Sequence, residues 1–246
     1  MWKLIATLSW LDIKLRYRGS ILGPFWVTMS TGVMVAALGL VYSTLFDQDM
    51  HDYLPYLSLS LVFWTAMSLV VTDACTTFTQ AEGMIRSMRM PFSVHIWRVM
   101  TRNFLLLLHN LIIVVLVFAI YDTWPGWNAL WAIPGLLVWL VDGVAACMLL
   151  GAICARFRDI PQIVGSIMQI AFYATPIVWK VDQIREGARF MPLNPVYVIL
   201  EIVRGPLYGT PPSGVVWTSA LVFSVALVIV AWLMFARVRG RLAFWV

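Results

Sequence analysis

Within one apolar stretch, Gln162, Ser166, Gln169 and Tyr173 stand at i, i+4, i+7 and i+11. On a helix that spacing brings all four onto one face. Donors and acceptors ranged along such a face suit a passage for a polar, hydroxyl-rich substrate, and they equally suit hydrogen bonding between neighbouring helices. Asp142, in VWLVDGVAA, is the most deeply placed acid. It fits either a proton-coupled carrier or a hydrogen-bonded structural group. Aromatic residues are dense, with 13 Trp, 13 Phe and 8 Tyr. Interfacial belts and packing account for many of them. Phe25, Trp26, Trp64, Phe172, Tyr173 and Trp179 could instead offer flat faces to sugar rings.

The chemistry that is missing narrows the reading further. The chain has no GxxxxGK[ST] phosphate loop, so nucleotide binding of that kind is not expected. His51, His95 and His109 are scattered, no HExxH occurs, and no carboxylates are paired beside them. Cys75, Cys147 and Cys154 lie in or near apolar stretches without metal-ligand spacing and read as buried packing residues. Neither a metal site nor an enzyme active site is expected.

The elements that must position the polar stripe are membrane spans. Hydrophobic residues make up 61% and charged residues 12% of the chain, against about 25% charged in an ordinary soluble domain. From Phe25 to Phe46 there is no charge; as a helix that stretch rises about 33 Å, enough for a hydrocarbon core of about 30 Å. The pattern predicts an all-α integral membrane protein, residues 1–246 forming one transmembrane domain with spans near 25–46, 54–72, 103–121, 129–153, 160–179 and 216–236. Gly32, Ala36, Gly39 and Ser43 give the first span a small-residue side that permits close helix approach. VYVILEIVRGPLY, ahead of the last span, is apolar but too short to cross, and predicts a re-entrant or interfacial helix.

Residues 1–20 precede the spans as an amphipathic interfacial helix. Leu4, Leu8, Leu11 and Leu15 form one apolar stripe, and Trp2, Trp10, Ile13 and Tyr17 a second, more aromatic one. Two apolar faces suit two apolar neighbours, lipid and the protein's own spans; a plain surface anchor is the simpler reading. The amino end lacks a short apolar core with a cleavage site, so Met1 reads as the start of the mature chain.

Topology follows from charge. Four of the 17 Lys and Arg (Lys180, Arg185, Arg189 and Arg204) fall in segments read as outside, and all the others inside, with Arg86, Arg89, Arg98 and Arg102 in one connector. The positive-inside rule then places both termini in the cytoplasm. The net charge of +5 is thereby explained without nucleic acid.

Five stretches in this order resemble one family, the type-2 ABC exporter permeases that move polysaccharides such as O-antigen, capsule and teichoic acid. They are DIKLRYRGSILGPFW (12–26), MIRSMRMPFS (84–93), FRDIPQIV (157–164), FYATPIVW (172–179) and LNPVYVILEIVRGPLY (193–208). The resemblance implies a bacterial inner-membrane protein in which two copies of the chain pair, each docked on a separate ATP-binding subunit that holds the ATP and Mg. It implies that Glu82, Met84, Ile85, Arg86 and Arg89 belong to the helix that docks on that subunit, although related connectors carry two adjacent basic residues where Arg86 and Ser87 stand here. It implies short helices near the exit around 192–208, and a lipid-linked glycan as substrate. Lys14, Arg16 and Arg18 are then candidates for the anionic headgroup of the glycan's lipid carrier. A drug or lipid exporter of the same plan, and a gradient-driven carrier built on Asp142, are the alternatives.

Overall fold

A computed structural model describes residues 2–16, 18, 23, 25–88 and 90–246; of Arg185 and Glu186 only the backbone is described. Tyr17, Pro24 and Arg89 therefore lie outside the described residues. The described residues are mainly helical, and no strand occurs among them: α1 (Trp2–Arg16), α2 (Phe25–Leu45), α3 (Met50–Cys75), α4 (Glu82–Ser87), α5 (Phe92–Tyr121), α6 (Ala132–Arg156), α7 (Ile160–Ala174), α8 (Pro195–Leu207), α9 (Gly214–Val238) and α10 (Leu242–Trp245). Short 3-10 segments cover Thr79–Ala81, Trp127–Trp131 and Val181–Leu193.

Five of these helices, α2, α3, α5, the α6 segment and α9, are long and apolar enough to cross a membrane. α3 is the axis. It packs on α2, α5, α6, α7 and α8, and 72% of its most apolar window is buried, against 17% for α9. An all-round apolar helix in lipid needs no buried face, so this contrast marks α3 as the one span surrounded by protein. Asp49 caps α3 by accepting the His51 N–H at 3.0 Å, which starts the helix a turn before the expected position and leaves Pro55 inside it.

Two differences from the expected spans matter for function. The helix expected from about residue 103 begins at Phe92 and runs 30 residues, about 45 Å, half as long again as a bilayer core. Arg98 and Arg102 therefore stand on a helix rather than in a loop. The stretch expected to span 160–179 is helical only over Ile160–Ala174, 15 residues or about 22 Å. Pro176 is the reason: it has no N–H to continue the ladder and disfavours helical backbone at Thr175. Thr175 to Val178 are nonetheless buried, and non-helical backbone at such a depth persists only where protein satisfies it.

α8 lies against α6 and α9. A Cβ at Gly135 would meet the Ile202 carbonyl oxygen at 2.5 Å, so only glycine lets the two helices approach this closely. Asn194 caps α8, its Oδ1 accepting the Val196 and Tyr197 N–H groups at 3.0 and 3.2 Å, with Pro195 in the first turn where it loses nothing.

The face of α1 turned to the protein takes only Ile13 from the two expected stripes. Ile5, Ser9 and Ile13 are the buried residues, against α5. Trp2, Leu4, Trp10, Leu11 and Leu15 are exposed. A serine between two isoleucines is accepted because Ser9 donates to the carbonyls of Ile5 and Arg98 at 2.8 and 3.1 Å. On α2 the small side is shared between buried Gly39 and Ser43, half-buried Gly32 and exposed Ala36.

Candidate functional site

An open groove of about 580 Å³ lies between α2, α3 and α7. α7 contributes Gln169, Phe172 and Tyr173, and α3 contributes Trp64, Thr65, Ser68 and Thr72. Thr65, Ser68 and Thr72 stand at i, i+3 and i+7, so the hydroxyl stripe of α3 faces the amide and phenol of α7. The Thr72 hydroxyl donates to the Ser68 carbonyl at 2.9 Å, which leaves its oxygen free to accept. Trp64 and Phe172 meet edge to face at 5.7 Å, and Phe172 and Tyr173 at 5.2 Å. The lining sets aromatic faces, hydroxyls and an amide among the apolar side chains of Met34, Leu61, Leu69 and Met168 and holds no charge, an arrangement that can bind and pass a neutral polyhydroxyl chain.

Of the residues singled out in the sequence, Trp64, Gln169, Phe172 and Tyr173 line this groove. Gln162 and Ser166 are exposed on the same helix but outside the lining. Phe25 and Trp26 are exposed in the first turn of α2, and Trp179 ends the stretch after α7, its Nε1 donating to the Tyr173 carbonyl at 3.3 Å. Thr65, Ser68 and Thr72 were not foreseen. Their helical spacing was visible, but isolated hydroxyls in an apolar span give a weak signal.

Where α7 breaks off, a polar knot satisfies the backbone. Tyr53 donates to the Val178 carbonyl at 2.6 Å, and Tyr56 to those of Pro176 and Trp179 at 2.8 and 2.9 Å. Arg204 of α8, 2% exposed, donates to the Tyr56 hydroxyl at 3.0 Å, to Ser60 Oγ at 2.9 Å and to the Pro176 carbonyl. Its charge is met by Glu201, one turn earlier, and its guanidinium lies 4.6 Å from the Tyr56 ring centre. Asn194 adds a bond to the Ala174 carbonyl at 3.3 Å. Tyr208 donates to the Asp52 carbonyl at 3.0 Å. Its phenol is held above the ordinary range by burial, with Asp52 adding to the effect.

A second knot ties α1, α3 and α5 at the end of the bundle that holds α4 and α10. Arg98 grips Asp12 with two donors, one at 2.6 Å. Arg102, 4% exposed, bridges Asp12 at 3.3 Å and Asp73 at 2.8 Å. Asp73 also accepts from Arg16 at 3.2 Å and Asn103 at 2.9 Å. Since Thr72 lines the groove and Asp73 is the next residue, Arg16 is attached beside the groove's end at this knot. Lys14 and Arg18 are exposed.

The candidate docking residues share this end. Glu82 and Arg86 pair at 2.9 Å along α4. Ile85 turns inward, against a cluster that includes Phe78 and Phe92, and Met84 is half-buried. Asp142 lies elsewhere, between α6 and α9, accepting from Ser224 at 2.8 Å, and takes no part in the groove. Among the described residues no cluster of His, Cys, Asp and Glu could hold a metal.

Residues 3–208 match the ABC-2 type transporter family. The chain is 24% identical over 208 residues, 83% of its length and 80% of the relative's, to the O-antigen export system permease protein RfbA of Myxococcus xanthus. It is 23% identical over 188 residues, 76% of its length and 72% of the relative's, to the O-antigen export system permease protein RfbA of Klebsiella pneumoniae.

Proposed function

The chain belongs to the ABC-2 type transporter family, and from that footing we propose that it is the permease subunit of an exporter moving a lipid-linked polysaccharide of O-antigen type across a bacterial inner membrane. Family membership implies an ATP-binding partner subunit. In this reading the partner binds ATP and Mg and performs hydrolysis, two copies of the chain form the membrane part, and both termini face the cytoplasm.

The observation that supports a glycan most directly is the groove. Thr65, Ser68, Thr72 and Gln169 offer hydrogen bonds along one side of the bundle, while Trp64, Phe172 and Tyr173 offer rings. A sugar chain presents hydroxyls around its rim and C–H faces to aromatic rings, and a moving chain needs many weak contacts rather than one strong site. A second copy facing this groove would close it into a passage. Phe25, Trp26 and the outlying part of the α7 stripe, Gln162 and Ser166, then stand at its margins. The carrier's anionic headgroup would meet Lys14, Arg16 and Arg18 at the cytoplasmic boundary. The uncharged lining, with the hydroxyls of Thr65, Ser68 and Thr72 and an amide among its apolar side chains, suits a neutral glycan. The similarity to O-antigen export permeases favours a glycan over a lipophilic drug, and the position of Asp142 outside the groove removes the main support for a gradient-driven carrier.

The test is complementation of a strain lacking its own copy with the triple variant Thr65→Val, Ser68→Ala, Gln169→Leu. Membrane level and ATP-binding-subunit recovery should match the unaltered chain, while surface glycan falls and lipid-linked glycan accumulates inside. Normal surface glycan at normal protein level would remove the groove from the path.

A further inference from the structure

After α9 the chain turns at Arg239–Arg241 and returns as α10. This return is anchored rather than loose. Leu242 and Val246 are 0% and 2% exposed and pack with Phe78, Ile85, Phe92 and Phe235, the cluster on which α4 also rests. Arg86 of α4 donates from Nε to the Val246 main-chain oxygen at 3.2 Å, and from a second nitrogen to the same atom. From the α6–α7 connection, Arg158 donates to the Trp245 carbonyl at 3.5 Å, and the Arg156 guanidinium lies 5.7 Å from the Trp245 ring centre. α4 and α10 therefore form one platform, joined by a side chain that belongs to the candidate docking helix itself.

That platform has a free apolar group. Phe244 is 86% exposed and follows Leu242 by two residues, roughly 200° around a helix, so it points away from the core that Leu242 enters. Arg86 and Ser87 are the exposed residues at the end of α4. Arg86 and Arg158 hold α10 at Val246 and Trp245, and exposed Arg237, Arg239 and Arg241 precede it in the chain; an exposed aromatic ring on so basic a segment has the make-up of an interface anchor.

We propose that the ATP-binding subunit docks on a composite surface made by α4 and α10 together, with the Phe244 side chain seated in an apolar pocket of that subunit. This rests on the reading of α4 as the docking helix and adds α10 to it. Because Arg86 holds α10 through a main-chain oxygen and the Trp245 ring packs against the cluster beside Arg156, Phe244 is the large side chain of α10 left for a partner. Phe244→Ala should weaken capture of the ATP-binding subunit roughly 5- to 30-fold, the usual cost of truncating an aromatic anchor.

The deciding experiment places a photo-reactive benzoylphenylalanine at Phe244 or, separately, at Ser87, in the full complex in native membranes, followed by irradiation and mass spectrometry of the adduct. The expected result is an adduct from both positions to a subunit whose digest contains a GxxxxGK[ST] peptide. An adduct from Ser87 without one from Phe244, or an adduct from Phe244 to lipid alone, overturns the composite surface and leaves α4 as the docking helix. Adducts from neither position remove α4 from the docking role and the composite surface with it.

Discussion

The two polar knots of this bundle both centre on a buried arginine, yet they are built on opposite plans. Around Arg204 the partners are mainly hydroxyl and main-chain oxygens, with Glu201 the single counter-charge. Around Arg102 they are carboxylates from two other helices, each shared with a further cation: Asp12 with Arg98, and Asp73 with Arg16. In the first knot every group is bound to one place, because the carbonyls of Pro176, Val178 and Trp179 exist only where α7 has broken. In the second, each carboxylate has a spare partner. The first plan fixes a backbone that lipid could not tolerate, and the second holds three helices together while leaving their contacts exchangeable. α3 belongs to both, with Tyr53, Tyr56 and Ser60 at one end and Asp73 at the other.

The largest expected effect comes from breaking the fixed knot. Arg204→Met leaves the half-buried Glu201 without its counter-charge and removes the donor to the Pro176 carbonyl, a loss of about 3 kcal/mol, at the low end for broken buried pairs. Thermal unfolding in detergent should show it as a large fall in midpoint and low membrane yield. Adding Glu201→Gln should recover part of the loss, since the stranded charge is then gone. If Arg204→Met unfolds like the unaltered chain, the knot is not what holds the α7 break.

The exchangeable knot predicts a smaller loss at an equally buried arginine. Arg102→Met leaves Asp12 with Arg98, and Asp73 with Arg16 and Asn103, so the cost should be about 1.5–3 kcal/mol, that of hydrogen bonds to charged groups lost without stranding a carboxylate. The double variant Arg98→Met, Arg102→Met strands Asp12 and should cost clearly more than the two single losses added. Additive losses in a double-mutant cycle would show that Arg98 does not stand in for Arg102.

The contrast between the knots was largely hidden in the sequence, and the reason is physical. Charge placement revealed which end of each span Arg98 and Arg102 occupy, but their partner Asp12 lies 86 and 90 residues away, and no local pattern encodes that pairing. Apolar length likewise ran past Pro176 to Trp179, because Tyr53 and Tyr56 supply from a distant helix the donors that allow the helix to stop. The bundle class, the short helices before α9 and part of the α7 stripe were legible, since 3.6-residue periodicity and a run of uncharged residues are local. Ser9 on α1 and the hydroxyls of α3 were not, because such a residue reads as neutral until its neighbour is known. Residues 242–246 carry no periodic signal of their own, and only Arg86 and the Phe78 cluster make them an element.

The smallest expected change in stability is the one that separates the knots by function. Arg16 is the most exposed member of its knot, with 35% of its side chain accessible, and Asp73 keeps Arg102 and Asn103 without it. Arg16→Gln should therefore shift unfolding by no more than about 0.5 kcal/mol, within the range of a surface change. Tyr53→Phe, in the fixed knot, should cost a similar amount, about 0.6 kcal/mol for one hydrogen bond within a membrane protein. Equal stability makes the pair a clean comparison of export. If the knot beside the groove meets the carrier headgroup, Arg16→Gln lowers surface glycan while Tyr53→Phe leaves it at the level of the unaltered chain. Equal export from the two variants would mean that Arg16 serves only to hold Asp73, and would leave Lys14 and Arg18 as the cations to test at that boundary.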